Sequence, residues 1–97
     1  MKVTLAESAV RDLEEIVAYY EEQGAPLAGT RLVKEILRRI ASLRKYPDLG
    51  RKVPEFDTGI LCEIVYPPFR IVYRRETKRV RVVRVWRSER LLKLPRE

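Results

Sequence analysis

Arginines at alternate positions in the C-terminal half are the residues of this chain best suited to chemistry. Residues 69–75 read FRIVYRR, in which apolar or aromatic positions alternate with arginine or valine. A period of two is typical of a strand whose two faces differ, so Arg70 and Arg74 are predicted on the same face. A guanidinium is always charged and grips a phosphate or a carboxylate through two parallel hydrogen bonds. The pattern predicts a strand that presents arginines to an anionic ligand.

The net charge of +7 comes from the second half of the sequence. Residues 1–50 contain eight basic and eight acidic residues, whereas residues 51–97 contain thirteen basic and six acidic residues. A localised basic field favours nucleic acid or an acidic protein as the partner. The alternative is a solvated sheet face that only keeps the protein in solution, and charge by itself does not separate the two.

Several chemistries are excluded by residue type. The sequence has no His and a single cysteine, Cys62. It therefore offers no internal disulfide, no usual zinc site and no Cys–His nucleophile. It has only four Gly, and none of them forms the Gly-rich pattern of a phosphate-binding loop. We expect no metal and no cofactor.

Two helices and a group of strands are the elements that must position the arginines. Apolar residues recur every three to four positions before residue 50 and at every second position after it. The first helix is predicted to start near Ser8 and to end at Gly24. The second is predicted to open at Pro26, and the short link between them makes the pair antiparallel. Strands are predicted at residues 2–6, 51–54, 61–66, 69–75 and 79–87, and a short final helix at residues 89–94.

The predicted fold is a single α+β domain over residues 1–97. A short first strand precedes the helix hairpin, which packs on a curved antiparallel sheet of three to four strands, and a short C-terminal helix follows. No apolar run approaches the ~20 residues needed to span a bilayer, and the N-terminus shows no signal peptide. We expect a cytoplasmic protein with no membrane partner.

Four segments, in this order, resemble the RelE/ParE superfamily of toxins from bacterial and archaeal toxin–antitoxin pairs. Residues 9–19 carry the spacing A-x-x-D-L-x-x-I-x-x-Y, and residues 43–55 carry L-x-x-x-P-x-x-G-R-x-V-P-E. Residues 69–73 match the core strand Y-R-I-V-Y with Phe69 in the first place, and residues 82–90 resemble the last strand. The matching segments extend over nearly the whole chain. The sequence looks closer to ParE, the toxin of plasmid stabilisation systems, than to RelE.

The resemblance implies a toxin that is neutralised by a cognate antitoxin encoded beside it. That antitoxin is expected to be of the ribbon-helix-helix type, with an acidic C-terminal segment that wraps the toxin. The toxin would reach operator DNA only through the antitoxin. ParE-like members inhibit DNA gyrase, whereas RelE-like members cut messenger RNA in the ribosomal A site. Gyrase inhibition is the expected function. The alternatives are a ribosome-dependent endoribonuclease and an inactive homologue that only binds the antitoxin.

The same resemblance implies candidate site residues. Arg70 matches the strand arginine that contacts the scissile phosphate in the nucleases of the superfamily. The alternative for the arginines is cross-strand pairing with the carboxylates of Glu63 and Glu76. We prefer that alternative for Arg74 and Arg84. For binding of a target the candidates are Arg70, Trp86, Arg87 and Arg90, and for a ribonuclease they are Arg70, Arg87, Lys52 and Glu63.

Proton transfer is the missing part of a ribonuclease, which needs a general base and a general acid. Trp86 stands where the last strand of the family often carries His, and neither Tyr nor His follows it. Glu63, Glu55 and Lys52 remain as candidate bases, and each would need a special environment to act as one. A role without bond-breaking chemistry is therefore favoured.

Overall fold

The structure, a computed structural model, describes residues 1–53 and 60–87 as an α+β arrangement of two helices and five strands. The prediction of an α+β fold with an antiparallel helix hairpin is confirmed, and the two helices pack on the sheet. The helix predicted at residues 89–94 lies outside the described residues. The elements are β1 (Lys2–Leu5), α1 (Glu7–Glu22), α2 (Pro26–Ser42), β2 (Arg51–Lys52), β3 (Leu61–Tyr66), β4 (Phe69–Arg75) and β5 (Arg79–Arg87).

The sheet has five strands in the order β1-β5-β4-β3-β2. Strands β2 to β5 form the predicted antiparallel meander. Strand β1 adds to it because it pairs with β5, in parallel, with Lys2 opposite Arg79. The sheet is therefore mixed and one strand larger than the three to four expected. The apolar pattern of a strand shows which face is buried but does not show which other strand it pairs with.

The main core lies between the helices and one face of the sheet. The apolar positions at helical spacing mostly face it, but Val10 of α1 and Leu37 of α2 are each 40% exposed. The strands contribute alternate residues to this core, as a period of two requires. Its most buried members are Ala9 from α1, Ile36 from α2, Leu43 just after α2, Phe69, Ile71 and Tyr73 from β4, and Val80 and Val82 from β5.

The link between the two helices depends on two glycines. Gly24 follows α1 with a φ of 75°, a conformation that favours glycine and stops the helix. Gly29, in α2, touches α1 so closely that an added Cβ would lie 2.9 Å from the Cβ of Tyr20. The helices therefore approach each other at a position where a larger side chain would have to push them apart. Neither helix has the length and apolar character needed to cross a membrane, within the part of the chain that is described.

Strand β1 pairs only with residues 79–82 of β5, and the start of α1 covers the rest of that edge. Ser8, near which the first helix is predicted to start, does not cap it. Helix α1 begins at Glu7 without a side-chain cap, and the Ser8 hydroxyl donates to the strand instead. An uncovered strand edge is a site for unwanted pairing, so this cover has a structural purpose. Three hydrogen bonds join residues 6–12 to β5. They run from Ala6 N–H to Val82 O (2.8 Å), from Ser8 Oγ to Val83 O (2.6 Å) and from Val85 N–H to Asp12 Oδ2 (2.8 Å).

Candidate functional site on the open face of the sheet

Arginines of three strands lie on the face of the sheet opposite the helices, which we call the open face. On β4 the aromatic side chains and Ile71 enter the main core, so Arg70, Val72 and Arg74 lie on the open face. The predicted separation of the two faces of this strand is therefore present. Cross-strand pairing brings further residues onto the open face, namely Arg51 of β2, Glu63 of β3, and Arg81 and Trp86 of β5.

The centre of the open face is a cluster of one buried carboxylate and two guanidiniums, the Glu63 cluster. Glu63 Oε1 accepts hydrogen bonds from Arg70 Nε at 2.7 Å and Nη2 at 2.5 Å. Glu63 Oε2 accepts from Arg51 Nε and Nη2, both at 2.8 Å. The Glu63 side chain is fully buried and Arg70 is only 7% exposed, whereas the Arg51 side chain is 65% exposed.

This arrangement ties Arg70 to the fold. A buried charge is tolerated only when it is paired and hydrogen-bonded, and Arg70 meets that requirement through Glu63. An anion from outside would have to compete with Glu63 for the same guanidinium. The cross-strand alternative therefore describes Arg70 better than direct exposure to a ligand does. Arg51 is the cluster member most accessible to solvent.

A second arginine–carboxylate pair, the Asp12 cluster, joins α1 to β5. Arg84 Nε and Nη2 donate to Asp12 Oδ2 and Oδ1 at 2.8 and 3.0 Å, in the bidentate geometry typical of arginine. Asp12 also accepts the Val85 N–H, and it is 7% exposed. The guanidinium of Arg84 lies 4.3 Å from the centroid of the Trp86 ring, a cation–π contact. Arg84 is thus paired as expected, but with Asp12 rather than with a neighbouring strand.

The candidate residues are not all brought together. Arg70, Glu63 and Trp86 lie on the open face, and Arg70 is directly opposite Trp86. Arg87 pairs with Phe69, and its guanidinium lies 5.7 Å from the centroid of that core ring, so it lies on the helix-packed face.

Lys52 lies on the helix-packed face too, since it pairs with Cys62, which packs against the main core. The four candidate ribonuclease residues are therefore split between two faces of the sheet. Arg90 and Glu55 lie outside the described residues. Within residues 1–53 and 60–87, no group of three His, Cys, Asp or Glu side chains is arranged to hold a metal ion.

Sequence reasoning missed the role of Tyr73, which fastens the segment between α2 and β2. Its hydroxyl donates to Pro47 O at 3.0 Å and accepts the Gly50 N–H at 2.9 Å. Burial is the main cause that raises the pKa of Tyr73 to about 12. A Cβ on Gly50 would lie 2.7 Å from the Tyr73 hydroxyl oxygen and 2.6 Å from Glu63 O. The P-x-x-G spacing of residues 47–50 was the sequence feature that could have indicated this role, because both the Pro and the Gly of that spacing hydrogen-bond to the Tyr73 hydroxyl.

A small apolar cluster lies beside the Glu63 cluster on the open face. Val53 and Val72 are its buried members, and Trp86 packs against them as a half-buried ring. Leu61 and Val83 complete it. Because Val53 follows β2 directly, this cluster and the Arg51–Glu63 pair hold the same edge of the sheet. The open face therefore combines a small apolar cluster with arginines on the neighbouring positions of the strands.

The Asp12 and Glu63 clusters give a structural role to residues in two of the sequence segments noted above. In residues 9–19, the Ala and Leu of A-x-x-D-L enter the core and the Asp covers the β5 edge. In residues 43–55, the Gly-Arg pair meets Tyr73 and Glu63. These residues maintain the architecture that a relative of the same fold would share.

Comparisons with known proteins agree with that reading. The structure is similar to a chain of a solved structure titled "Chromosomal ParDE TA system from P. aeruginosa", with a TM-score of 0.78 and 21% sequence identity. The match covers 92% of this chain and 97% of the other. A comparison with curated proteins gave no significant match. Residues 3–92 match the family described as "ParE toxin of type II toxin-antitoxin system, parDE". The chain therefore belongs to the ParE toxin family of type II toxin–antitoxin systems.

Proposed function

We propose that this protein is a toxin that inhibits DNA gyrase and is neutralised when it binds a cognate antitoxin. The observation that carries the proposal is the family match, which extends over residues 3–92. Gyrase is the target that the resemblance to ParE implies, and such a target places the toxin's action in the cytoplasm.

Contact with the target is proposed at the end of β5. Trp86 is a half-buried aromatic ring on the open face, and Arg87 is the next residue, on the opposite face. Aromatic and arginine side chains are the types most often dominant in protein interfaces. Arg90, three residues further along the chain, is kept as part of the same proposed contact. Arg70 supports it indirectly, since it lies directly opposite Trp86 and is held by Glu63.

A supercoiling assay tests the target. Purified protein is expected to inhibit DNA supercoiling by gyrase, and Arg87→Gln with Trp86→Phe is expected to weaken that inhibition at unchanged stability. The matched control is Arg31→Gln on α2, an exposed arginine far from β5 in the sequence. Undisturbed supercoiling at high micromolar protein would refute gyrase as the target.

The antitoxin is proposed to carry an acidic C-terminal segment behind a ribbon-helix-helix part that binds operator DNA. Support comes from α2, which exposes Arg31, Lys34 and Arg38 and so offers a basic surface to such a segment. Electrostatic complementarity speeds association, and salt screens it. The association rate is therefore expected to fall as ionic strength rises. A rate that does not respond to salt would contradict an acidic docking segment.

A RelE-like ribonuclease gains no support from the described residues. Both carboxylate oxygens of Glu63 accept hydrogen bonds from arginines, and Lys52 lies on the other face. No acid–base pair is therefore assembled around Arg70 in residues 1–53 and 60–87. A ribosome-dependent cleavage assay is expected to show no cuts in the A site. Growth arrest on expression without the antitoxin would discard the remaining alternative, an inactive antitoxin-binding homologue.

A further inference from the structure

A row of cations crosses the open face near the hairpin between β4 and β5. Arg74 of β4 lies directly opposite Arg81 of β5, which in turn lies directly opposite Thr4 of β1. Arg74 is exposed and Arg81 is half-buried. Like charges directly opposite each other in an antiparallel pair destabilise a sheet. The fold alone therefore gives no reason for placing two guanidiniums there.

Neither guanidinium forms an ion pair with a carboxylate in residues 1–53 and 60–87. Glu76 is close enough for the charges of Arg74 and Arg81 to help lower its pKa, but the hydrogen bond from Arg79 is the larger cause. The Glu76 carboxylate is engaged by that bond to Arg79. It does not form an ion pair with the Arg74–Arg81 row. This differs from Arg70 and Arg84, which are held by Glu63 and Asp12.

The hydroxyl of Thr4 supplies a second, independent observation. It is buried and has no hydrogen-bond partner among the described residues. Val3 and Leu5 pack against the main core, so alternation places the Thr4 side chain on the open face beside Arg81. Buried hydroxyls are usually satisfied, and an unsatisfied one calls for an explanation. A hydroxyl in this position can donate to an oxyanion held by the two arginines.

The cations continue into the next row. Lys2 lies directly opposite Arg79, two residues from Thr4 and Arg81 respectively. A shallow groove of about 440 Å³ lies at this corner. Positions two apart on a strand are separated by about 6.8 Å, and adjacent strands by about 4.8 Å. The corner therefore offers positive charges at short, regular intervals in two directions. The residues that line the groove are Lys2, Glu76, Thr77, Lys78 and Arg79.

We propose that the row Thr4–Arg81–Arg74 binds a phosphate of a nucleic-acid backbone, without regard to base sequence, and that Lys2 contacts a neighbouring phosphate. Arginine pairs suit phosphate because several oxygens of one group accept from both guanidiniums. A nucleic-acid backbone also carries its charges at regular intervals, as this corner does. The site is distinct from the Glu63 cluster and from Trp86. It goes beyond gyrase inhibition, and it is measured with the purified chain and DNA alone.

The test is the salt dependence of binding to a short fluorescent DNA duplex, measured by anisotropy. Each phosphate contact contributes about 0.9 to the slope of log K against log salt concentration. The double variant Arg74→Gln/Arg81→Gln is expected to lose about tenfold or more in affinity at low salt and about 0.9 in slope, because the two guanidiniums hold one phosphate. The control Arg11→Gln/Arg44→Gln removes the same charge from two exposed positions outside the sheet and is expected to keep the slope.

A second variant removes only the hydroxyl. Thr4→Val keeps the shape of the side chain, so it is expected to leave the urea midpoint unchanged or higher while lowering DNA affinity. That combination separates ligand binding from a structural role. Equal slopes for the double variant and its control would overturn the site.

Competition distinguishes the source of the anion. Inorganic phosphate is expected to compete only weakly, because a single phosphate occupies one position of the corner, whereas unlabelled DNA of unrelated sequence is expected to compete fully. Polyglutamate that displaces the duplex at equal charge concentration would show that the corner takes carboxylates, and would overturn the assignment to nucleic acid.

Discussion

The Glu63 and Asp12 clusters use the same chemistry, a carboxylate paired with arginine, in two different settings. Glu63 is enclosed within three strands, is fully buried and is shared by Arg70 and Arg51. Asp12 is on α1 and faces β5, where its carboxylate accepts a hydrogen bond from a backbone N–H as well as the bidentate pair from Arg84. The first cluster neutralises charge inside the sheet, while the second joins a helix to a strand edge.

The difference shows what removing each carboxylate would leave behind. Loss of Glu63 leaves a guanidinium, that of Arg70, with 9% of its side chain exposed. Loss of Asp12 leaves Arg84, whose side chain is 33% exposed and can turn to water. Breaking an ion pair at a buried charge is costly, whereas a charge that reaches solvent loses little when its partner is removed. The two clusters should therefore respond very differently to matched substitutions.

Glu63→Ala is expected to have the largest effect, a loss of about 3–5 kcal/mol in the free energy of unfolding, because it breaks a buried ion pair and removes the carboxylate that accepts hydrogen bonds from both Arg70 and Arg51. Urea denaturation measures it. The double variant Glu63→Leu/Arg70→Met removes both charges and is expected to be more stable than Glu63→Ala. If the double variant is the less stable of the two, the cost does not come from breaking the buried ion pair between Glu63 and Arg70.

Tyr73→Phe removes the hydroxyl that holds residues 47–50, the segment directly before Arg51, and so tests a contact that does not involve Glu63. The raised pKa of Tyr73 means that its stabilising contribution is complete below pH 10 and is lost as the pH rises to about 12. The wild type is expected to lose about 2–3 kcal/mol over this interval beyond what the variant loses, since each pKa unit corresponds to 1.36 kcal/mol. Parallel stability curves for both proteins between pH 10 and pH 12 would contradict the buried neutral phenol.

Asp12→Ala is expected to cost about 2 kcal/mol, because the Val85 N–H loses its partner while Arg84 turns to solvent. Asp12→Asn is the matched control, since it keeps an oxygen that can accept from Val85. In urea denaturation, Asp12→Asn should lose about half as much free energy of unfolding as Asp12→Ala loses. If the amide is as damaging as alanine, the charge pair with Arg84 carries the effect, and the contrast with Glu63 becomes smaller.

Arg84→Lys is expected to have the smallest effect, about 0.5–1 kcal/mol, because lysine keeps the charge but not the bidentate bond or the stacking on Trp86. Trp86 fluorescence, which reports the only Trp in the chain, should shift while the urea midpoint moves little. A loss as large as that of Glu63→Ala would show that exposure does not separate the two clusters.

Much of this fold could be predicted because local patterns determine it. The bounds of β3, β4 and β5 agree with the predicted strands, since period two and the turn residues between them are local signals. The pairing of β1 with β5 was missed because partners far apart in sequence leave no mark on either strand.

The site was harder to predict, since the function of an arginine depends on what faces it. Arg70, expected to meet a ligand, is occupied by Glu63, while Arg74, expected to pair across strands, has no carboxylate partner in the described residues. An extra residue in β5 opposite Val72 and Tyr73 also changes which of its side chains reach the open face. Neither the bulge nor the partners of these arginines can be read from the spacing of the residues.

The parallel pairing of β1 with β5 has a consequence for how the chain comes to be folded. Contacts such as that between Ser8 and Val83 join residues 75 positions apart. Non-local pairings of this kind slow folding, and chains emerge from the ribosome N-terminus first. Strand β1 and the start of α1 must therefore wait until β5 has been synthesised before their partner exists. The complete sheet, with its arginine-lined surface, is expected to assemble only after β5 has left the ribosome.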